Sequence, residues 1–215
     1  MFPNWEYHHI EVKCVVHDTA GVVEIRYDGA EVLNLTGKDT LYGDGNVRNI
    51  RVHALYNNQW ANTSDFWVDD SQFHGDVRIV AVIPDADGAD TAWTRNAGAS
   101  DWEAVDELEP DDDTTYLESA AATDESTVEM ACPVINDVEA VNLCCYIKQA
   151  DAPGDQRGVT LMCTSGGTDY DAPSEESPTT AYAYYNNVWE ADPDDSNPWT
   201  QAKIAAADFG VELTT

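Results

Sequence analysis

One apolar run constrains the fold of this chain more than any other stretch. Ile79-Val80-Ala81-Val82-Ile83 follows Phe73-His74-Gly75-Asp76-Val77-Arg78 and is closed by Pro84. Every position after Arg78 is apolar, the pattern of a strand covered on both faces in the middle of a two-layered β protein. Proline has no backbone N–H to give to a ladder, so pairing is expected to stop at Pro84. Asp85-Ala86-Asp87-Gly88-Ala89-Asp90 then reads as an acidic turn into a polar connection carrying Trp93 and Trp102.

Around this run the apolar residues keep a period of two. Ile10, Val12, Cys14 and Val16 alternate with polar neighbours, and Val23, Ile25 and Tyr27 repeat the pattern. Asp28-Gly29 between them and Glu31–Leu35 predicts a two-residue hairpin turn, because both central positions of a type I′ turn need positive φ. Further strands are expected at 49–55 and at the short aromatic segment 66–70. Beyond Tyr116 they are expected at 126–132, 138–148, 158–165, 182–189 and 211–213. Asn197-Pro198 reads as an N-cap and first helical residue, opening a short helix to about Ala207 with Gly210 closing it. The acidic stretch Glu109-Pro110-Asp111-Asp112-Asp113 reads as a linker. The expected fold class is all-β, with two β-sandwich-like units at 1–115 and 116–215 and one short C-terminal helix.

Charge narrows the partners. The chain of 215 residues holds 41 acidic and 10 basic residues, a formal net charge of -31. Nucleic acid is not an expected partner, because phosphates are repelled by such a surface. Self-repulsion at this density destabilises a compact state in dilute buffer, whereas in molar salt the Debye length falls to about 3 Å. The composition therefore points to a salt-saturated setting and a halophilic source. No run approaches the roughly 18 apolar residues of a membrane span, so membrane insertion is not expected. Residues 1–7 lack the basic and apolar regions of a signal peptide. The five cysteines show no CxxC spacing, so they are expected to be buried free thiols rather than a disulfide framework or a zinc site.

Motifs of enzyme chemistry are missing. There is no GxSxG, HExxH or phosphate-binding glycine loop, and adjacent His8 and His9 point to opposite faces of an extended chain. No catalytic residue and no cofactor is therefore expected. Two weaker constellations remain. Asp85, Asp87 and Asp90 flank Gly88 at the alternate spacing of calcium ligands, without the closing glutamate of an EF-hand, since position 96 is Asn96. Trp60, Trp93 and Trp102 lie in loop-like contexts where an indole face can stack on a sugar ring.

The ordered motifs carry a resemblance. His17 to Gly29 resembles a late hairpin of concanavalin A or laminin-G-like sandwiches. Asp65 to Asp70, Phe73 to Arg78, Asp87-Gly88, Trp93, Val105-Asp106-Glu107 and Asp113 to Tyr116 follow in order, then Tyr182 to Tyr185, Asp192-Pro193, Trp199-Thr200 and Gly210-Val211. Together they resemble a structural protein of tailed viruses, found in phage tails and virion appendages. The resemblance implies a first unit that is a partial concanavalin A/laminin-G-like jelly roll. It places Trp5 near the middle of that sandwich, implying a smaller sandwich or strands supplied by a neighbouring chain. It further implies a tail, fibre or capsid-surface role in the virion, other virion structural proteins as partners, and a homo-oligomer. Its assembly contacts are expected at Trp5, Tyr7, Tyr184, Tyr185 and Trp189, since aromatics dominate interface hot spots. The alternative is a module that binds a host cell-surface glycan through Trp60, Trp93 or Trp102, with calcium near Asp85 and Asp87.

Overall fold

A computed structural model describes residues 7–43, 45–47, 50, 65–70, 72–150 and 157–215. These residues form four antiparallel sheets and one short α-helix, so the chain is all-β. Two compact units divide between Val80 and Ala81.

The first unit holds one three-stranded sheet in the order β1 (Ile10–Val15), β2 (Gly21–Tyr27), β3 (Ala30–Lys38). The turn expected at Asp28-Gly29 joins β2 to β3 with φ of 49° and 78°, the left-handed pair that a type I′ turn requires. The strand expected at 49–55 lies almost wholly outside the described residues. Residues 66–69 and 77–83 are not strands. The apolar run is therefore not a covered central strand: Ile79, Val80 and Val82 are exposed.

The second unit corrects two further expectations. Strand β4 begins at Pro84 and runs to Thr91, where an acidic turn was expected. It is the edge of a five-stranded sheet whose remaining members are β7 (Glu125–Met130), β9 (Val159–Ser165), β10 (Thr168–Asp171) and β12 (Asp208–Leu213), in the order β10-β9-β12-β7-β4. A proline at the first position of an edge strand forfeits no ladder bond, so Pro84 starts the strand rather than ending one. Because β4 pairs with β7, residues 81–115 belong to the second unit, and the boundary expected at 115 moves to Val80. Glu109 to Asp113 is no linker. Asp111 accepts from the amide and hydroxyl of Thr115, and Asp113 pairs with Lys148 and takes the Tyr182 hydroxyl.

Two short strands, β5 (Thr94–Arg95) and β6 (Leu117–Glu118), pair with each other. A separate two-stranded sheet, β8 (Val141–Ile147) with β11 (Ala183–Trp189), packs across the five-stranded sheet. Leu143 and Trp189 of the smaller sheet meet Leu161, Cys163 and Phe209 of the larger, and Trp199 and Ile204 close the end. This two-layered arrangement is sandwich-like. The helix is a single turn, α1 (Gln201–Ile204), capped by the Thr200 hydroxyl accepting from the Lys203 amide at 3.3 Å, not by Asn197. Gly210 lies within β12 instead of closing the helix. A Cβ there would overlap the Ser126 carbonyl, so only glycine lets β7 and β12 approach.

All five cysteines are free. Cys163 is buried and Cys145 packs against the core, and burial pushes both thiols up to about 12. Cys14 and Cys144 are exposed, against expectation. Under native conditions a thiol reagent is expected to modify Cys14 and Cys144 first and Cys163 only after unfolding. Mass spectrometry of the labelled peptides reads this out; fast native labelling of Cys163 contradicts the packing.

Candidate assembly surface

The first unit's sheet has one polar and one apolar face. Register pairs Ile10 with Tyr27, Val12 with Ile25 and Cys14 with Val23, then Ile25 with Leu33 and Val23 with Leu35. Residues directly opposite share a face, so these eight form one patch without a carboxylate or a basic side chain. On the other face Arg26 pairs with Glu24 at 2.9 Å and lies over the Phe73 ring at 4.1 Å. The buried Glu11 there accepts from the Gly75 amide at 2.9 Å.

Among the described residues the polar face thus carries these bonds and the apolar face is open. Ile10, Val12, Leu33 and Leu35 are 61, 63, 36 and 39% exposed. Isolated apolar side chains are ordinary on a protein surface; a contiguous row marks a place where something docks. At about 1.5–3 kcal/mol per fully buried aliphatic side chain, covering what these four expose is worth about 3–6 kcal/mol. Every residue of β3 is exposed. Tyr7, next to β1, is also strongly exposed, while Trp5 lies outside the described residues.

Charge is divided unevenly along the chain. Residues 1–80 hold 12 of the 41 acidic and 6 of the 10 basic residues, and all five histidines. The unit that carries the apolar face is therefore the less charged of the two.

Alternation sorts the expected assembly residues on β11. Tyr184 is 61% exposed and points outward with Val188. Its ring lies 4.7 Å from Tyr146, which stacks on Tyr182 at 4.8 Å and 8°. Tyr185 and Trp189 are on the opposite, inward side. Tyr185 packs against the core, and Trp189 is a buried member of it whose carbonyl accepts from the Trp199 indole at 3.0 Å. Trp189 is thus a core residue and offers no ring to a partner, a correction that follows from its four-residue offset from Tyr185, which keeps it on the same inward side.

Other contacts position the remaining candidate residues. Trp60 lies outside the described residues. Trp93 is half-buried and donates its indole N–H to the Asp124 carbonyl at 3.0 Å. Trp102 opens a 3-10 turn (Trp102–Ala104), and its amide donates to Asp87 at 2.8 Å. Asp85 is exposed on β4, Asp87 is engaged by that amide, and the Asp90 amide donates to the Thr127 hydroxyl. Among the described residues no group of three or more His, Cys, Asp or Glu side chains is arranged to hold a metal ion.

The five-stranded sheet turns a carboxylate-rich face away from its core. Asp169 and Asp171, Asp208 and Glu212, and Glu125 and Glu129 occupy the positions that alternate with Cys163, Phe209 and Val128. Burial, then neighbouring carboxylates, raise the pKa of Asp90, Glu125 and Glu212. A group raised on folding contributes stability at low pH and loses it as pH rises through its folded pKa. In dilute buffer the protein is therefore expected to become more stable as pH falls from neutral into the upper carboxylate range. Asp90→Asn with Glu125→Gln should reproduce part of that gain at neutral pH, about 2–4 °C in Tm per kcal/mol gained; molar salt should remove the share owed to neighbouring carboxylates and leave the share owed to burial. A lower Tm in dilute buffer would refute the repulsion.

A cleft of about 300 Å³ is lined by Ser165, Gly166, Asp192, Asp194, Asp195 and Lys203. Burial pushes the Asp192 carboxyl up, but the Ser165 hydroxyl at 2.7 Å, Lys203 at 3.0 Å and the Asp194 amide at 3.1 Å hold it below its ordinary value. Lys203 also pairs with Asp195 at 2.6 Å and, as the main cause, holds it down to about 2. The Ser165 proton goes to a carboxylate that is a weak base. This network joins the β9–β10 turn to the loop before α1; it does not activate a nucleophile. No protein-family model matches the chain, and neither does any curated protein or solved structure compared with it.

Proposed function

We propose that this chain is a structural component of a tailed-virus virion, a tail, fibre or capsid-surface element assembled in a salt-adapted host. The observation that carries the reading is the open apolar face of β1, β2 and β3, on the less charged part of a chain of net charge -31. A sheet with one uncovered apolar face is half of a two-layer structure; the face is open among the described residues, and on this reading other subunits supply the second layer. On this reading the sheet is part of a concanavalin A/laminin-G-like jelly roll completed in the assembly. The exposed Tyr7 and Tyr184 are peripheral contacts. The role is mechanical: packing, with brine screening the carboxylates that otherwise hold subunits apart.

Negative-stain electron microscopy of the purified chain in molar salt tests this. Closed rings, fibres or regular stacks are the expected images. Single particles at every concentration, together with retention on a host-glycan column that Trp93→Ala abolishes, would replace the reading with a glycan-binding module.

A further inference from the structure

We propose that β3 is the edge through which two copies of this chain join, antiparallel about a two-fold axis at Asn34, making one continuous six-stranded sheet. The inference rests on the assembly reading and names its first partner, a second copy. All nine residues of β3 are exposed, and among the described residues only β2 pairs with it. Its pairing with β2 shifts register between Gly21 and Val23 and again between Ile25 and Arg26. Leu33, Asn34 and Leu35, opposite Ile25, Glu24 and Val23, are left as the regular part, where another strand can add without meeting a bulge. Nothing in these three residues blunts the edge: there is no proline and no charge.

Centring the axis on Asn34 sets Leu33 opposite the second copy's Leu35, and Leu35 opposite its Leu33, on the apolar face. A shift by one residue sets one leucine of each copy against Asn34 and the other against Thr36 or Val32, which puts the two faces out of phase. Charge selects the same direction. The two charged residues of β3 are Glu31 near its start and Lys38 at its end. Antiparallel pairing brings each Glu31 to the end that carries the second copy's Lys38, whereas parallel pairing sets like beside like. Area gives a reason for the joint. Three strands about 4.8 Å apart and six residues of about 3.4 Å give a face of about 300 Å². Doubling it to about 600 Å² approaches the roughly 800 Å² per partner of a stable interface, so the joined sheet offers the next subunit a surface that one copy lacks.

Cross-linking of the full chain tests the register. In a background of Cys14→Ser and Cys144→Ser, Asn34→Cys is oxidised in molar salt and run on a non-reducing gel. A two-fold axis at Asn34 brings the paired Cα atoms to about 4.5–5.5 Å, within disulfide reach. A cross-linked dimer is expected for Asn34→Cys, and none for Leu33→Cys unless it is mixed with Leu35→Cys. Asn34→Lys, which places two like charges on the axis, should shift the mass from dimer to monomer with an unchanged circular dichroism spectrum. If the chain is oligomeric in molar salt but Asn34→Cys does not cross-link, or Leu33→Cys alone cross-links faster, the β3 joint is wrong and the assembly reading stands. If the chain is monomeric under every condition, both fall.

Discussion

In urea, the chain is expected to unfold at a far higher midpoint in molar sodium chloride than in dilute buffer. Residues 81–215 hold 29 of the 41 acidic residues and only four basic ones, Arg95, Lys148, Arg157 and Lys203. Two like charges 10 Å apart in water repel by about 0.4 kcal/mol. Summed over the unpaired carboxylates, this reaches on the order of 5–10 kcal/mol, the size of a whole domain's net stability. At about 0.01 M salt the screening length is about 30 Å and most of the repulsion survives; at 1 M it is about 3 Å and little does. Urea is the denaturant to use, because guanidinium chloride is itself a screening salt. Equal midpoints in the two buffers would show that the carboxylates are not under mutual strain.

Phe209→Ala is expected to cost about 3–5 kcal/mol, enough to unfold the second unit in dilute buffer. Phe209 is 2% exposed near the start of β12, the middle strand of its sheet, with its ring 6.3 Å from Trp189 and 6.1 Å from Trp199. It is where the five-stranded sheet, the β8–β11 sheet and the helical turn converge, and truncation leaves a cavity that none of them can fill alone. Tryptophan fluorescence during urea unfolding reads the loss, since both neighbours report on it. Tyr184→Ala on the outer side of the β8–β11 sheet is the comparison and should stay within about 0.5 kcal/mol for the single chain. A Phe209→Ala loss as small as that of Tyr184→Ala would mean that the two layers are not packed as described.

The alternation of apolar residues was legible wherever each strand pairs within the chain: β1, β2, β7, β8, β9 and β11 fall within a few residues of the segments that the period marks out. Asp28-Gly29 was legible because its chemistry leaves one turn type. The run at 79–83 misled for a physical reason. Continuous apolarity says that a segment avoids water, not that its own chain covers it, and here the residues are exposed. Pro84 misled likewise, since a proline ends a central strand but can begin an edge one. No local pattern marks whether an acidic segment such as Asp85 to Asp90 turns or pairs; pairing with β7 decides it, and with it the boundary between units.

The candidate site was half legible. Tyr184 and Tyr7 are exposed as an interface role requires, whereas Trp189 is enclosed, because aromatic character does not say which face of β11 a residue takes. The period of two that sets Ile10, Val12, Leu33 and Leu35 on one face is plain in the residues. Whether a second layer covers that face is not written in any one strand, and among the described residues the face is open.

Molar mass measured by light scattering on an eluting size-exclusion peak, in molar salt and in dilute buffer, tests the central claim most directly. A mass of two or more copies of the 23.6 kDa chain is predicted in molar salt, falling to one copy as salt is removed. One copy in both buffers, folded and equally stable in each, would contradict the account.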